Sequence, residues 1–430
     1  MSQAITTRVL LLATTTGYQT RMFAEAAARL GVELIYATDR CDQIEDPWGD
    51  HALAVRYHEE SRSVDAVLQA LQARPVNGIL AVGDRPTVVA AYLGQLLGLP
   101  AHPPEAAGAA RDKRLTRERL KAGGFLTPDF IAVAADANPA LVLSKVQLPV
   151  VIKPTVLSGS RGVIRANTAA EFTAAFDRVR RLLASADVRE LRDADAGVIQ
   201  VESYIPGVEY ALEGLLDHGV LQTLAIFDKP DPLEGPFFEE TIYVTPSRAS
   251  ESVAQRIASD VAGAARALGL YHGPIHAECR VNARGVYVLE VAARPIGGLC
   301  AKALRFERAG LSIGFEELLL RHAIGEPVGG WQRAGNASAV MMIPIPRGGV
   351  YRRVEGVEEA TAVAGIDEVR ITAKADQQLH PLPEGASYLG FIFARAATPE
   401  AAEQAVRSAH GCLRFTIDPL LALLGDVAGG

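Results

Sequence analysis

The amino-acid sequence predicts a protein of mixed α/β and α+β class with three successive domains. Near the N-terminus, buried strand patterns such as "RVLLLA" (8–13) and "GILAVG" (78–83) alternate with helical patterns, which is typical of parallel βαβ units. Farther along, "PIHAECRVN" and "VYVLEVAAR" are separated by a tight "ARG" turn, which indicates an antiparallel hairpin. From about Trp331 the pattern changes again and indicates a further α+β domain.

The N-terminal domain is expected to cover residues 1–102 and to be Rossmann-like. Its predicted elements are strands at 8–13, 32–38 and 78–83, a helix ending near Leu30, a helix at 85–97, and the turn "TTTGYQ" at 14–19. The Pro-rich stretch "LPAHPPEA" (99–106) marks its end, because clustered prolines interrupt helices and strands alike.

A middle domain is expected at 103–325, with a lid subdomain at about 125–205, and an α+β domain at 326–430. The predicted elements here are strands at 148–154 and 197–205 in one sheet, a helical stretch at 168–195, a long helix ending near Leu268, a helix at 399–413, and a frayed tail at 425–430.

Composition excludes several classes of protein. With 430 residues, 49% hydrophobic residues, a formal net charge of −7 and no basic tail, the chain is globular and not expected to bind nucleic acid. The basic run "RDKRLTRERLK" (111–121) is expected to be mostly the solvated face of a helix. Cys41, Cys279, Cys300 and Cys412 lack metal or redox spacing, which fits packed thiols in a reducing cytosol. No apolar stretch approaches the roughly 20 residues of a membrane span, so we expect a cytoplasmic protein without a membrane partner.

The stretch "VVIKPTVLSGSRGV" (150–163) places Lys153 at the end of an apolar run and a glycine-bracketed loop after it. The usual phosphate loop has the reverse order, with its glycines before the lysine. Two interpretations therefore remain open from this stretch alone: a phosphate-binding loop, or a hairpin whose turn is polar.

Paired carboxylates are predicted on the hairpin that follows. If the turn lies near "NARG", Glu278 and Glu290 lie close together on one face, which His276 shares because side chains alternate along a strand. Arg294 follows Glu290 by a count of four. Two such carboxylates repel each other unless a cation separates them, and Mg²⁺ is the cation that suits them. The alternative is a simple ion pair between Glu290 and Arg294.

The stretch "VESYIPGVEYALE" (201–213) is a strand that runs into a hinge. An adenine ring needs an apolar slot with hydrogen-bonding groups along its edge. Glu202 could accept a hydrogen bond from the exocyclic amine, and Glu209 could hold ribose hydroxyls. Taken singly, each acid is better explained by an exposed helix or strand position.

The order of these residues resembles the ATP-grasp superfamily over about residues 1–320. That resemblance implies an ATP-grasp fold preceded by a Rossmann-like domain, with ATP as the nucleotide. It implies that Lys113 and Lys153 contact the phosphates, and that a loop formed by Ser158, Gly159, Ser160, Arg161 and Gly162 covers them. Glu202 with the backbone of Ser203 and Ile205 then corresponds to the adenine hinge, and Glu209 to the ribose contact. Glu278 and Glu290 correspond to the ligands of Mg²⁺, for which Mn²⁺ can substitute.

One departure from the family pattern concerns the second metal strand. Many members have E-x-N-x-R there, whereas this chain has Ala292 at the position of the asparagine. The motifs "EVAARPIGG", "GPIHAE" (273–278) and "YLGFIFARAATPEAAEQAV" are similar to the L-amino-acid ligase branch. This closer resemblance implies a dipeptide or related amide as product, amino acids as substrates, and a homodimer.

The predicted function is an ATP-dependent carboxylate–amine ligase that proceeds through an acyl phosphate. Lys153 would act on the phosphoryl group and Arg294 on the substrate carboxylate or the oxyanion, while His276 would position the amine, act as a base or be structural. Glu239 and Glu240 could meet an α-ammonium group or solvate a loop. The stretch 297–306 is expected to open a helix beside the acyl site, with Lys302 solvated, and His272 is expected to be structural.

Two other functions remain open from the sequence. One is an ATP-grasp carboxylase or a ligase of the purine-pathway type. The other is a catalytically inactive nucleotide-binding protein.

Overall fold

A computed structural model describes residues 6–14, 19–39 and 52–420 of the chain. Residues 15–18 of the predicted turn, Cys41, and the predicted frayed tail at 425–430 lie outside the described residues. Among the helices that are described, none combines the length and apolar character that crossing a membrane requires.

The N-terminal region is a parallel sheet with helices packed on it. Its elements are β1 (Arg8–Ala13), α1 (Thr20–Leu30), β2 (Glu33–Thr38), β3 (Leu53–Ala54), α2 (Glu60–Leu71), β4 (Gly78–Val82) and α3 (Thr87–Leu97). The strands pair in parallel in the order β3-β2-β1-β4. The predicted strands and helices of this region are confirmed, whereas β3 and α2 were not predicted. Gly98 ends α3 in the left-handed conformation (φ 66°), which glycine adopts without a steric penalty.

Two short helices lead from this region into the next, α4 (Pro104–Arg111) and α5 (Lys113–Ala122). The Asp112 side chain caps α5 by accepting hydrogen bonds from the backbone N–H groups of Arg114 and Leu115. This cap fixes Lys113 as the first residue of α5.

The predicted lid subdomain is a four-stranded sheet covered by helices. Its elements are β5 (Phe130–Ala134), α6 (Pro139–Leu143), β6 (Val150–Pro154), β7 (Ile164–Ala166), α7 (Ala169–Leu183), α8 (Ala186–Glu190) and β8 (Val198–Ser203). The strand order is β5-β8-β6-β7, so the two predicted strands share a sheet as expected. Because β6 and β8 are antiparallel, with Lys153 opposite Gln200 and Val151 opposite Glu202, Lys153 and Glu202 are diagonal neighbours.

The central region is dominated by long antiparallel strands. Its elements are β9 (Val208–Asp217), β10 (Val220–Asp228), β11 (Ile242–Thr245), α9 (Glu251–Leu268), β12 (Gly273–Asn282), β13 (Gly285–Ala292), a 3₁₀ turn (Cys300–Ala303), β14 (Arg305–Arg308), β15 (Leu311–Gly314) and α10 (Phe315–Ala323). The hairpin predicted between 274 and 294 is confirmed as β12 and β13. The helix predicted to open within 297–306 is wrong, because only one 3₁₀ turn forms before the backbone pairs with β15.

The C-terminal region continues the central sheet. Its elements are β16 (Gln332–Arg333), β17 (Ala337–Ile343), β18 (Gly349–Glu355), α11 (Val357–Thr361), β19 (Ile366–Ile371), β20 (Gln378–Leu379), β21 (Gly390–Ala396), α12 (Pro399–Cys412) and β22 (Arg414–Asp418). The eight-stranded sheet has the order β13-β12-β9-β10-β11-β17-β21-β19, so it crosses the predicted boundary at residue 326. The division into three domains therefore stays a prediction. The predicted helix at 399–413 is confirmed, with Thr398 as its cap.

Candidate active site

A cavity of about 920 Å³ lies where the N-terminal, lid and eight-stranded sheets meet. It is lined by all but one of the site residues that the sequence predicts, namely Lys113, Lys153, Ser158, Gly159, Ser160, Arg161, Glu202, Ser203, Ile205, Glu209, His276, Glu278, Glu290 and Arg294. Gly162 lies at the end of the loop without lining the cavity, and its N–H donates to the carbonyl of Pro383 at 2.8 Å.

Glu202 is the centre of a buried ion-pair group. Lys153 Nζ lies 2.6 Å from its Oε2, Arg117 Nε lies 2.7 Å from its Oε1, and Gln200 donates to Oε1 at 2.6 Å. Burial raises the pKa of Glu202, but Arg117 and Lys153 outweigh it and hold the pKa at about 2. Burial lowers the pKa of Lys153 to about 8 despite that carboxylate.

These contacts alter the expectations for Glu202 and Arg117. The Glu202 carboxylate, expected to be free for an adenine amine, already holds two cations, and its role in an adenine hinge with Ser203 and Ile205 stays a prediction. Arg117 lies in the run that was expected to be mostly solvated, yet it is 1% exposed. That expectation is wrong for Arg117, because the buried partner Glu202 compensates its desolvation.

The loop after β6 is held from two sides. Lys113 Nζ donates to the carbonyl of Leu157 at 2.6 Å, immediately before the loop. Gly159 and Gly162 have positive φ (64° and 75°), which glycine adopts without a steric penalty, and Ser160 between them also has a positive φ (56°). On the other side, Arg161 Nε donates to the carbonyl of Glu384 at 2.6 Å. The C-terminal region therefore packs directly on this loop.

Glu278 lies directly opposite Glu290 across β12 and β13, as the sequence predicted. Carboxylate oxygens of Glu209, Glu240 and Glu278 also lie within 4.8 Å of one another. Lys229 is bound among these three acids: its Nζ lies 2.9 Å from Glu209, 2.9 Å from Glu278, and in hydrogen-bond contact with Glu240. Lys229 was not predicted as a site residue.

Lys229, Glu240 and Glu278 influence one another's pKa values. Burial raises the pKa of Glu240 to about 7, and the charge of Glu278 adds to that rise. Burial also opposes ionisation of Glu278, yet Lys229 and His276 hold its pKa well below the usual range. Burial likewise opposes the charge of Lys229, while its three acidic neighbours raise its pKa well above the usual value.

The arrangement of Glu278 and Glu290 fits a divalent cation. Glu290 is half-buried and has no hydrogen bond or ion pair with any other described residue, although it lines the cavity. Its oxygens and those of Glu278 are hard donors of the kind that Mg²⁺ prefers. Ala292 offers no ligand atom, as the sequence indicated.

Glu209, predicted as a ribose contact, is also engaged in the protein. Its Oε2 accepts a hydrogen bond from Arg280 Nε at 2.7 Å, and Arg280 donates in turn to the carbonyl of Ile205 at 2.8 Å. Arg280 thus connects β12 to the hinge at Ile205. The ribose-binding role of Glu209 stays a prediction.

His276 lies between two glutamates. Its Nδ1 is in hydrogen-bond contact with the fully buried Glu213, and its Nε2 lies 3.5 Å from Glu278 Oε1. Burial lowers the pKa of His276, but Glu213 and Glu278 outweigh it and raise the pKa to about 9. The imidazole is then protonated at neutral pH, which favours a positioning role over that of a general base.

Arg294 is held by a residue that the sequence did not single out. Its guanidinium donates to both oxygens of Asp84, at 2.8 and 3.3 Å. The alternative ion pair between Arg294 and Glu290 is not formed. A signal for Asp84 exists in the sequence, since it follows β4 at the carboxyl end of a parallel strand, where ligands bind in α/β folds.

The structure also locates Glu239, Glu240 and Lys302, for which the sequence left a role open. Glu240 lines the cavity, whereas Glu239 does not appear in its wall. Lys302, expected to be solvated, is paired with Glu368 and lies 5.1 Å from the centre of the Phe393 ring.

Two parts of the chain match known protein families. Residues 146–303 match the model of the ATP-grasp domain, and residues 341–418 match the model of the L-amino acid ligase C-terminal domain 2. The predicted resemblance to the ATP-grasp superfamily and to its L-amino-acid ligase branch is therefore confirmed.

Individual relatives agree with these matches. The uncharacterized protein y4rH of Sinorhizobium fredii is 24% identical over 321 residues, which are 75% of this chain and 64% of that protein. Alanine–anticapsin ligase of Bacillus subtilis is 28% identical over 215 residues, which are 47% of this chain and 44% of the relative. The matches thus span less than two thirds of either relative. The crystal structure of an L-amino acid ligase from Bacillus licheniformis has a TM-score of 0.81 and 25% identity, covering 97% of this chain and 100% of that one. The predicted fold class is confirmed.

Proposed function

Because the chain contains an ATP-grasp domain and an L-amino acid ligase C-terminal domain, we propose that it is an ATP-dependent carboxylate–amine ligase. The reaction joins a carboxylate to an amine and yields a dipeptide or related amide, ADP and phosphate. Amino acids are the first substrates to test. The observation that carries the proposal is that one cavity is lined by Lys113, Lys153, the loop after β6, the acids of β12 and β13, and Arg294.

The nucleotide would bind between the lid sheet and the eight-stranded sheet. Lys113 and Lys153 supply positive charge for the phosphates, and the backbone N–H groups of the loop approach the phosphate oxygens, since glycine has no side chain to keep them apart. We infer that these lysines hold the triphosphate in the geometry of phosphoryl transfer.

Glu278 and Glu290 would hold Mg²⁺, with Mn²⁺ as a substitute. Such an ion neutralises charge on a phosphoryl group and orients it. Glu240, whose pKa of about 7 leaves it partly protonated at neutral pH, is a further acid that can adjust its charge as cations enter the site. Lys229 joins Glu240 and Glu278 to Glu209.

The chemistry needs two steps. A carboxylate oxygen of the first substrate attacks the γ-phosphorus, ADP leaves, and an acyl phosphate forms. The amine then attacks the acyl carbon, loses a proton, and displaces inorganic phosphate. Arg294, held by Asp84, is positioned to bind the substrate carboxylate and the oxyanion that develops on the acyl carbon. Protonated His276 would orient substrate beside Glu278.

The other two functions have less support. A carboxylase or a ligase of the purine-pathway type would not account for the match of residues 341–418 to an L-amino acid ligase domain. An inactive protein would not need both lysines, the loop, the paired glutamates and Arg294 around one cavity.

A screen of substrate pairs tests the proposal. The purified chain is incubated with ATP, Mg²⁺ and pairs of amino acids, phosphate release is followed, and products are identified by mass. We expect phosphate only when a carboxylate and an amine are both present, together with a product of their summed mass less water. Nucleotide binding without turnover on a broad panel, or phosphate release that depends on bicarbonate, would contradict the proposal. Sedimentation of the same sample tests the homodimer that the resemblance implies.

A further inference from the structure

A cluster of histidines lies away from the nucleotide cavity, at the far end of β9. His218 is in the turn between β9 and β10, His272 precedes β12, and His322 is in the last turn of α10. Asp217 is common to them: its Oδ1 lies 2.7 Å from His218 Nδ1, 3.4 Å from His272 Nδ1 and 4.0 Å from His322 Nε2. Three imidazole nitrogens from three separate segments are thus directed at one carboxylate oxygen.

Two of these nitrogens lack the hydrogen bonds that burial demands. The residues His272 and His322 are 7% and 3% exposed. His272 Nδ1 and His322 Nε2 are shielded from solvent, and neither forms a hydrogen bond within the described part of the chain. A buried polar atom without a partner is unfavourable, and unexplained cases in a folded protein call for a missing ligand or ion.

A neighbouring histidine provides a contrast. His102 accepts a hydrogen bond from the Tyr271 N–H through Nδ1, at 3.1 Å, and its Nε2 lies 3.3 Å from the carbonyl of Pro274. Both ring nitrogens of His102 are therefore used by the backbone. The same local environment satisfies His102 fully and leaves His272 and His322 with free nitrogens.

The spacing of the free atoms fits a metal. One ligand atom each from Asp217, His272 and His322 lie within 4.8 Å of one another. Two ligands at 2.0–2.1 Å from a tetrahedral zinc ion are about 3.3 Å apart, which is close to the 3.4 Å between His272 and Asp217. The rings of His272 and His322 are stacked, with their centroids 4.1 Å apart and their planes at 15°, so one ring would have to tilt for both nitrogens to bind a common ion.

The donor types select the ion. Imidazole and carboxylate together favour Zn²⁺, Co²⁺, Ni²⁺ or Cu²⁺ over Mg²⁺, which prefers oxygen alone. Burial also keeps the rings in the neutral form that binds metal, since it lowers the pKa of His272 and lowers that of His322 to about 4.

We propose that Asp217, His272 and His322, with His218 as a fourth donor, bind one transition-metal ion of the zinc type. None of the four lines the nucleotide cavity. Asp217 is four residues from Glu213, about 13 Å along the strand, so the ion is separate from any ion at Glu278 and Glu290. Its bonds would join the β9–β10 turn, the start of β12 and the end of α10 into one unit.

Cobalt titration tests the proposal on the full chain. The protein is treated with a chelator and titrated with Co²⁺ in the presence of excess Mg²⁺ and ADP, which occupy the nucleotide site. We expect one equivalent of Co²⁺ with the visible absorption of a site containing nitrogen ligands. Zn²⁺ should displace it and raise the midpoint of thermal unfolding. Absence of any Co²⁺ signal that survives excess Mg²⁺ would overturn the proposal.

Variants assign the ligands. His322→Gln and Asp217→Asn should weaken Co²⁺ binding by about tenfold or more. Asp217 has an exposed side chain, so Asp217→Asn is expected to fold. This variant tests the metal site if the buried His322→Gln does not fold. The matched control is His410→Gln, which changes a partly buried histidine in α12, outside the cluster. Wild-type affinity in Asp217→Asn, or equal loss in His410→Gln, would refute the assignment.

Discussion

Arg294 and Asp84 form a two-pronged ion pair between residues that are 210 positions apart in the chain. Asp84 follows the last strand of the parallel sheet, and Arg294 follows the hairpin that carries Glu278 and Glu290. The pair therefore fixes the guanidinium that faces the cavity by means of the N-terminal region. The N-terminal sheet therefore contributes to the site through Asp84.

Asp84→Asn should reduce turnover while leaving nucleotide binding nearly unchanged. The amide keeps the shape of the side chain but cannot hold both guanidinium N–H groups as a carboxylate does, so Arg294 loses its orientation. A misplaced group of this kind costs about a hundredfold in rate. Steady-state kinetics would show the fall in kcat, and Asp260→Asn, which breaks an exposed pair with Arg256 on α9, should behave like wild type. An unchanged kcat in Asp84→Asn would exclude the positioning role.

Glu290→Gln should abolish turnover without lowering stability. Glu290 has no partner to lose among the described residues, so the free energy of unfolding should change by no more than about 0.5 kcal/mol. The loss of activity would then reflect loss of a metal ligand. Phosphate release measures the loss of activity, and thermal unfolding measures the stability. Glu307→Gln, at an exposed position, is the control. Full activity in Glu290→Gln would refute the metal assignment.

Lys229→Met should destabilise the chain, and Mg²⁺ should restore part of the loss. Removing the ammonium group leaves the buried Glu209 and the half-buried Glu240 and Glu278 without their common cation, which costs about 3 kcal/mol. A divalent ion can replace that charge, so added Mg²⁺ should raise the midpoint of unfolding more in the variant than in wild type. The control is Lys145→Met, at an exposed position. A variant as stable as wild type would mean that Lys229 does not neutralise the cluster.

The affinity for ATP should fall as the pH rises above about 8. Burial lowers the pKa of Lys153 to about 8, so its ammonium charge is present below that pH and is lost above it. The decline cannot exceed tenfold per pH unit for one group. Nucleotide titrations between pH 6.5 and 9.5 measure it, and Lys153→Arg, which stays charged throughout, should flatten the curve. An equal slope in both proteins would assign the pH dependence to another group.

Gly162→Ala should destabilise the lid. A Cβ at Gly162 would lie 2.8 Å from Pro154 Cγ and 2.9 Å from Leu182 Cδ2, at a φ of 75°. Overpacking of this kind costs about 1–3 kcal/mol. Thermal unfolding and the KM for ATP should both respond, because the loop also contacts the cavity. At Gly197 nothing lies within 4 Å of an added Cβ, so Gly197→Ala should change neither quantity.

The sequence predicted the parts of the site that depend on local pattern. The "NARG" turn sets the register from Asn282–Gly285 to Cys279–Val288, and a one-residue shift beyond it brings Glu278 opposite Glu290. The sequence pattern predicted that the two acids lie close together, but not the bulge that pairs them. Lys153 and the glycines of its loop were visible because a charge at the end of an apolar strand is unusual. The stop signal at Gly98 likewise located the end of α3.

Residues whose role depends on distant partners were missed or misjudged. Arg117 belongs to a run of charges that resembles a solvated helix face, and only Glu202, 85 positions away, makes its burial possible. Lys229 precedes a Pro-rich loop, where a lone lysine is unremarkable until the sheet brings three acids around it. Residues 305–308 form a strand because β15 and β16 pair with them, and the local sequence does not predict that pairing.

The pairing of β11 with β17 has a consequence for protein engineering. Four register pairs, from Ile242–Met341 to Thr245–Ser338, connect the two halves of the eight-stranded sheet. Exchanging the segment after residue 326 for that of a relative would replace one side of this seam and alter the wall of the cavity at Met342 and Phe391. Hybrid enzymes with new substrate preferences should therefore be cut so that β11 and β17 are inherited together.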